Sequence, residues 1–194
     1  WLIANQGHWP YPFAAPLLDI HGFEWGIQQA APIARALAYH KPVVSLPLID
    51  EHYQEPFIRD HVRFAFIPGG YATREFAERA GLRELYRKYV PAILACVTTG
   101  WEPVTYARTD NDAVKVERFG QPPGRILLSV VNTTGQPQRA TLTADAKALR
   151  LPLRPLAVRT LVSGQDVNWR PRGDAMVCRL LLEPHQADVV ALAE

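Results

Sequence analysis

The chain has 194 residues, 48% of them hydrophobic and 21% charged, with a formal net charge of +2. That composition supports a buried core and excludes a disordered chain, while so small a charge excludes a strongly basic nucleic-acid-binding or membrane-surface protein. The arginines are scattered instead of forming one basic run, so neither a nucleic-acid nor a membrane partner is expected; 17 prolines against one methionine point to many loops and fixed turns.

Trp1-Leu2-Ile3-Ala4 reads as a short buried strand that delivers Asn5, Gln6, Gly7, His8 and Trp9 onto a loop. Trp9-Pro10-Tyr11-Pro12-Phe13 is aromatic and proline-stiffened. Aromatic faces on rigid loops suit a sugar-binding cleft, because the C–H face of a pyranose stacks on them. A hydrophobic plug closing the end of a core is the competing reading. The chain opens with no methionine, no charged n-region and no apolar run long enough to cross a membrane. It reads as a processed or truncated piece of something longer, with no signal peptide or transmembrane segment of its own.

The stretch Leu17-Leu18-Asp19-Ile20-His21-Gly22-Phe23-Glu24-Trp25-Gly26 sets two carboxylates and an imidazole among apolar residues. In an alternating β reading Asp19 and His21 share one face while Leu18 and Ile20 share the other, and Gly22 lets the backbone turn before Glu24. Acid-base chemistry fits there; the alternative makes Asp19 and Glu24 cap and turn residues and His21 a half-buried polar residue. Ile27 to His40 then carries an apolar stripe at helical spacing, with Pro32 marking a first turn or kink. Val43 to Ile49 reads as a buried strand suited to a parallel sheet. Its C-terminal end delivers Asp50, Glu51 and His52, the position that faces ligand in βα folds, although a capping role for Asp50 competes.

Residues 57 to 66 have helical spacing, and Ile67-Pro68-Gly69-Gly70-Tyr71 breaks it. Thr73 to Thr98 reads as a helix in two pieces with Gly81 between them, ended by Thr99-Gly100-Trp101-Glu102-Pro103. Beyond that point the period alternates. Strands are predicted at 113–119, 125–131, 139–143, 157–162, 175–182 and 187–193, a spacing that argues for an antiparallel sandwich. Asp110-Asn111-Asp112 lacks the glycine and glutamate of a calcium loop and reads as a turn before a strand. Cys96 and Cys178 show no metal-ligand spacing and read as small buried residues, with a disulfide left open. No cofactor and no metal are expected.

Together, the βα segment ending in a long helix, Gly100-Trp101-Glu102-Pro103-Val104, Val114-Lys115-Val116-Glu117-Arg118-Phe119-Gly120, Leu128-Ser129-Val130-Val131-Asn132-Thr133-Thr134 and the closing Leu181 to Leu192 resemble the C-terminal part of a (β/α)8-barrel glycoside hydrolase with its C-terminal β-sandwich. The resemblance implies an α/β segment followed by an all-β one: a partial (β/α) barrel-like catalytic segment over 1–100 and an antiparallel β-sandwich domain over 101–194. It implies cleavage of glycosidic bonds in an oligo- or polysaccharide by a carboxylate pair. Glu24 would be the general acid/base, its pKa raised by Phe23 and Trp25, with Asp19 as the second carboxylate or a sugar ligand. Asn5, His8, Trp9, His21, Trp25, Glu51 and His52 would bind substrate.

Residues 1 to 98 hold material for about three βα units, whereas a closed barrel needs eight. Either the natural protein is longer, or copies of the chain cover one another as a homo-oligomer. A non-catalytic carbohydrate-binding or assembly module is the alternative function. An esterase ranks lower, because no G-x-S-x-G elbow is present and Ser45 sits beside leucine and proline.

Overall fold

The computed structural model describes residues 3–5, 17–23, 27–45, 54–69 and 81–193. The chain divides into two compact units, Trp1–Gly100 and Trp101–Glu194. In the first, β1 (Ile3–Asn5), β2 (Ile20–Phe23), β3 (Val43–Ser45) and β4 (Phe66–Pro68) form a parallel sheet in the order β1-β2-β3-β4. Helix α1 (Ile27–Leu37) falls between β2 and β3, α2 (Gln54–Phe64) between β3 and β4, and α3 (Leu82–Thr99) after β4.

Register fixes which side chains share a face. Ala4, His21, Val43 and Phe66 form one row, and Asn5, Gly22, Val44 and Ile67 the next. Neighbours across a ladder point the same way and successive residues point oppositely. Val43 and Phe66 are fully buried, and the Arg35 guanidinium of α1 lies 5.1 Å from the Phe66 ring centroid. The His21 row therefore faces the helices, while Val44 and Ile67 on the other side are only half-buried.

Strand β4 corrects the sequence reading, which carries a helix to Phe66 and treats Ile67 to Tyr71 as a break. Ala65, between Phe64 and Phe66, is buried with φ 51. One left-handed residue thus ends α2 and starts a strand at once, and an alanine in that role carries no turn signature. The described parallel sheet accordingly has four strands. Within the predicted two-piece helix, 73–80 falls outside the described residues; Gly81, at φ 63, precedes α3, and Gly100, at φ 87, ends it by donating its N–H to the Cys96 carbonyl at 3.0 Å. The backbone angle at Gly100 favours glycine, and a Cβ there would sit 3.2 Å from His40 Nδ1, so that ring would have to give by a few tenths of an ångström.

The second unit is two antiparallel sheets. One is β10 (Leu156–Arg159), β11 (Asp166–Arg172), β12 (Ala175–Leu182), β9 (Gln138–Asp145) and β6 (Ala107–Thr109), in that order. The other is β13 (Ala187–Ala193), β8 (Ile126–Asn132), β7 (Val114–Phe119) and β5 (Trp101–Glu102). Ile126, Leu128 and Val130 from the second pack in one cluster with Leu142, Trp169, Cys178 and Leu182 from the first. This shared core makes the unit a β-sandwich, and each fully buried leucine in it contributes about 1.5–3 kcal/mol.

Polar groups fasten its edges. The Asn132 amide donates to the carbonyls of Gln136 at 2.7 Å and Glu183 at 2.9 Å, and its oxygen accepts from Thr134 N–H at 2.9 Å. Asn111 Oδ1 accepts the Ala113 N–H at 2.9 Å, closing an Asx turn before β7. Cys178 and, in α3, Cys96 are both buried, and neither forms a disulfide; burial pushes the Cys178 thiol up to about 12. Strands β5, β6 and β11 are not among those the sequence pattern predicts.

Candidate functional site

In a parallel β/α sheet the C-terminal strand ends and the loops after them face ligand. Asn5 is the last residue of β1, Phe23 of β2 and Ser45 of β3; Asn5 pairs with Gly22, and Phe23 with Ser45. Glu24 and Trp25 follow Phe23 directly in sequence, and Glu51 and His52 follow Ser45 by a few residues. Those four, with His8 and Trp9, fall outside the described residues.

Asp19 and His21 do not join that edge. Asp19 is exposed and precedes the first residue of β2, at the opposite end of the strand from Phe23. His21 is buried, with its backbone N–H donating to the Pro42 carbonyl at 3.0 Å, and its row faces the helices. Ser45 is also fully buried, so its hydroxyl is not presented as a nucleophile would be.

Two strongly perturbed groups lie at the N-terminal edge of the sheet. Arg35 donates from Nη1 to the Lys41 carbonyl at 3.0 Å and from Nη2 to the Ala65 carbonyl at 2.9 Å, just ahead of β3 and β4. Burial pushes its guanidinium down to about 10, against a smaller opposing attraction from Cys96. His61 Nδ1 lies 2.7 Å from the Phe66 carbonyl, which only accepts, so Nδ1 carries the proton. Burial pushes this imidazole down to about 3, and the bond to Phe66 opposes the shift. In such folds that edge serves stability. No residue pattern signals this cluster, because its partners are backbone carbonyls.

The second unit adds a groove of about 470 Å³ whose lining includes Val104, Tyr106, Arg108, Thr143, Asp145 and Asp174, with Tyr106 46% exposed. Among the described residues, no group of three or more His, Cys, Asp or Glu is placed to hold a metal ion, and no helix is long and apolar enough to cross a membrane.

No family model matches the sequence, and no curated protein matches it. Solved structures do match. A GH27 β-L-arabinopyranosidase from Geobacillus stearothermophilus, crystallised with arabinose, aligns with TM-score 0.57 and 14% identity over 100% of this chain and 50% of that one. A noncanonic maltogenic α-amylase from Thermotoga neapolitana aligns with TM-score 0.62 and 10% identity over 99% of this chain and 54% of that one. A γ-CGTase from alkalophilic Bacillus clarkii aligns with TM-score 0.53 and 13% identity, over 90% and 36%. The chain spans about half the length of the first two. At such identities the likeness is one of fold, and what this chain shares with those proteins is a parallel β/α segment followed by an antiparallel β-sandwich.

Proposed function

We propose that the chain works as part of a glycoside hydrolase, cleaving glycosidic bonds in an oligo- or polysaccharide by carboxylate acid/base catalysis. The observation that carries this reading is the parallel order β1-β2-β3, in which the strands leading to Asn5, to Glu24 and Trp25, and to Glu51 and His52 are neighbours. Residues 1–100 carry the chemistry in this proposal and residues 101–194 form the sandwich domain.

Glu24 is the general acid/base. Flanking Phe23 and Trp25 disfavour its charged form and hold a proton for the leaving oxygen. The second carboxylate completes the pair as nucleophile or as base for water. Asp19, one strand length away from that edge, suits this role less well than Glu51, which comes after the neighbouring strand. Asn5, His8 and His52 hydrogen-bond sugar hydroxyls, and Trp9 and Trp25 stack on the ring. His21, in the helix-facing row, supports the strand that carries Glu24.

Turnover of aryl glycosides and polysaccharides by the chain, in its full open reading frame where that extends further, is the test. Glu24→Gln lowers turnover about 10²- to 10⁴-fold with fold and glycan binding kept. Cleavage undiminished in this variant removes Glu24 from the mechanism, and no cleavage of any substrate removes the hydrolase reading.

A second reading, a non-catalytic carbohydrate-binding module, draws on the Tyr106 groove, where an exposed ring stands beside Asp145, Asp174 and Arg108. It expects no turnover, and a loss of glycan affinity in Tyr106→Ala.

A further inference from the structure

The arginines that look dispersed in the sequence are brought together by strand register. In the five-stranded sheet Ala140, Leu142, Val167, Trp169, Met176, Cys178 and Leu180 point into the core. The alternate residues point outward. Outward positions are Arg108 on β6, Arg139 on β9, Arg159 on β10, Arg170 and Arg172 on β11 and Arg179 on β12, all exposed. Against these six, the strands and the residue after β6 set three aspartates, Asp110, Asp145 and Asp166, and no lysine or glutamate.

Two of those aspartates are already engaged. Asp166 accepts from Arg159 at 2.9 Å, and Asp110 accepts the Thr141 N–H at 2.6 Å, a bond that lowers its pKa below the usual carboxylate range. Arg172 pairs with Ala175, Arg170 with Val177, Arg179 with Thr141 and Arg139 with Leu181. Arg172 and Arg170 therefore follow one another along β11, and Arg179 and Arg139 continue the row diagonally across β12 and β9. Each step is roughly 7–8 Å, from the rise along a strand and the spacing between strands. Small or short residues, Ala175, Val177, Thr141 and Thr143, fill the places between. A depression of about 490 Å³, whose lining includes Asp110, Arg139, Thr141, Gln165, Arg179 and Leu181, lies along the same line.

We propose that this sheet face binds an extended acidic polysaccharide, one carrying a carboxylate on successive sugars. Arginine forks grip planar carboxylates in two-point fashion, which lysine does not. A periodic row of them on a flat face matches a linear chain of repeating anions. Sequence-tolerant binding of single-stranded nucleic acid uses a series of aromatic platforms for stacking; the outward positions of these strands carry no aromatic residue, and the exposed Tyr106 of the adjoining groove gives one ring at the edge of the face rather than a series along it. The glycan site is independent of any turnover by the chain.

The test is affinity electrophoresis of the chain through gels containing polygalacturonate, its methyl-esterified form or a single-stranded oligonucleotide, at low and at about 0.15 M ionic strength. Polygalacturonate retards the chain at low salt, retardation falls with salt, and esterification abolishes it. Arg139→Gln/Arg170→Gln/Arg179→Gln weakens retention about tenfold, whereas Arg83→Gln/Arg87→Gln/Lys88→Gln on α3, with the same loss of charge off this face, keeps it. Equal losses in the two variants, no retardation at low salt, or tighter retention by the oligonucleotide each overturn the proposal. If the first variant fails to fold, the esterification and salt comparisons on the parent chain still decide it.

Discussion

Glu102 and Arg118 face each other across β5 and β7, with Arg118 Nη2 3.5 Å from Glu102 Oε2 and both side chains almost wholly buried. Arg118 also donates from Nε to the Val104 carbonyl at 2.8 Å, and Gln121 Nε2 donates to Glu102 Oε1 at 2.7 Å. The two stretches that carry the sequence resemblance here, Gly100-Trp101-Glu102-Pro103 and Val114 to Gly120, are thus two halves of one contact. Arg118→Met leaves the Glu102 carboxylate buried without this cation and destabilises the sandwich by about 3–5 kcal/mol. Glu102→Gln keeps the Gln121 partnership and costs less. Chemical denaturation of both variants checks the ordering, and equal losses contradict it.

Asn132 plays the corresponding part at the other end of β8. Its amide bridges to the Glu183 carbonyl, and Asn132→Ala leaves that carbonyl and the Gln136 carbonyl without this donor. A loss of about 1–3 kcal/mol results. Asn132→Asp costs at least as much, since a carboxylate replaces a donor with an acceptor facing two carbonyls. A denaturation midpoint unchanged in either variant refutes this role.

Arg35 holds the chain ahead of two strands through two carbonyls from one guanidinium. Arg35→Met strands both and lowers stability by about 2–4 kcal/mol, and Arg35→Lys, with a single point of attachment, recovers only part. Any activity per folded molecule is kept, because these bonds lie at the edge away from the proposed site. Urea titration alongside turnover separates the two effects.

His61 gives the first unit a pH dependence. Its folded pKa is pushed from 6.5 down to about 3, so between those values the unfolded chain takes up a proton that the folded chain refuses. Stability contributed by the neutral ring is complete above pH 6.5 and declines as pH falls, by about 1.4 kcal/mol per pH unit once the unfolded imidazole is fully protonated. Carboxylates begin to contribute near pH 5, so the window from 6.5 to 5 belongs to the histidines, and a comparison of parent with variant separates His61 from the other five. His61→Asn places an amide N–H where Nδ1–H was and removes this titration; its melting temperature falls less in that window than that of the parent.

Strands β12 and β13 were legible in the sequence to the residue, because 175–182 and 187–193 are short, almost wholly apolar runs bounded by Gly173-Asp174 and Glu183-Pro184. Helix α3 was legible from its apolar stripe at the helical period, up to Gly100. Strand β11 was not, although Val167 and Trp169 alternate with Asp166, Asn168 and Arg170. Pro171 inside it argues against a strand, yet Pro171 pairs with Met176 near the end of the ladder, where a missing N–H costs little. Overlooking β11 also hid the basic face, since two of its arginines sit there. In the candidate site, alternation put Asp19 with His21, but β2 begins only at Ile20. Where a strand starts is set by pairing with its neighbours, which a local pattern does not contain.

The pairing of β13 with β8 bears on how the second unit is made. Strand β8 is Ile-Leu-Leu-Ser-Val-Val-Asn and buried along its whole length, and β13 is its neighbour on the side away from β7. All of β9 to β12 is synthesised between them. Until the ribosome has released Ala187–Ala193, the nascent chain therefore carries an apolar strand with an open ladder edge, a template for pairing with another copy. Translation that stalls before Ala187 yields a product prone to aggregate, and soluble expression of this unit depends on the rate at which the last strand is delivered.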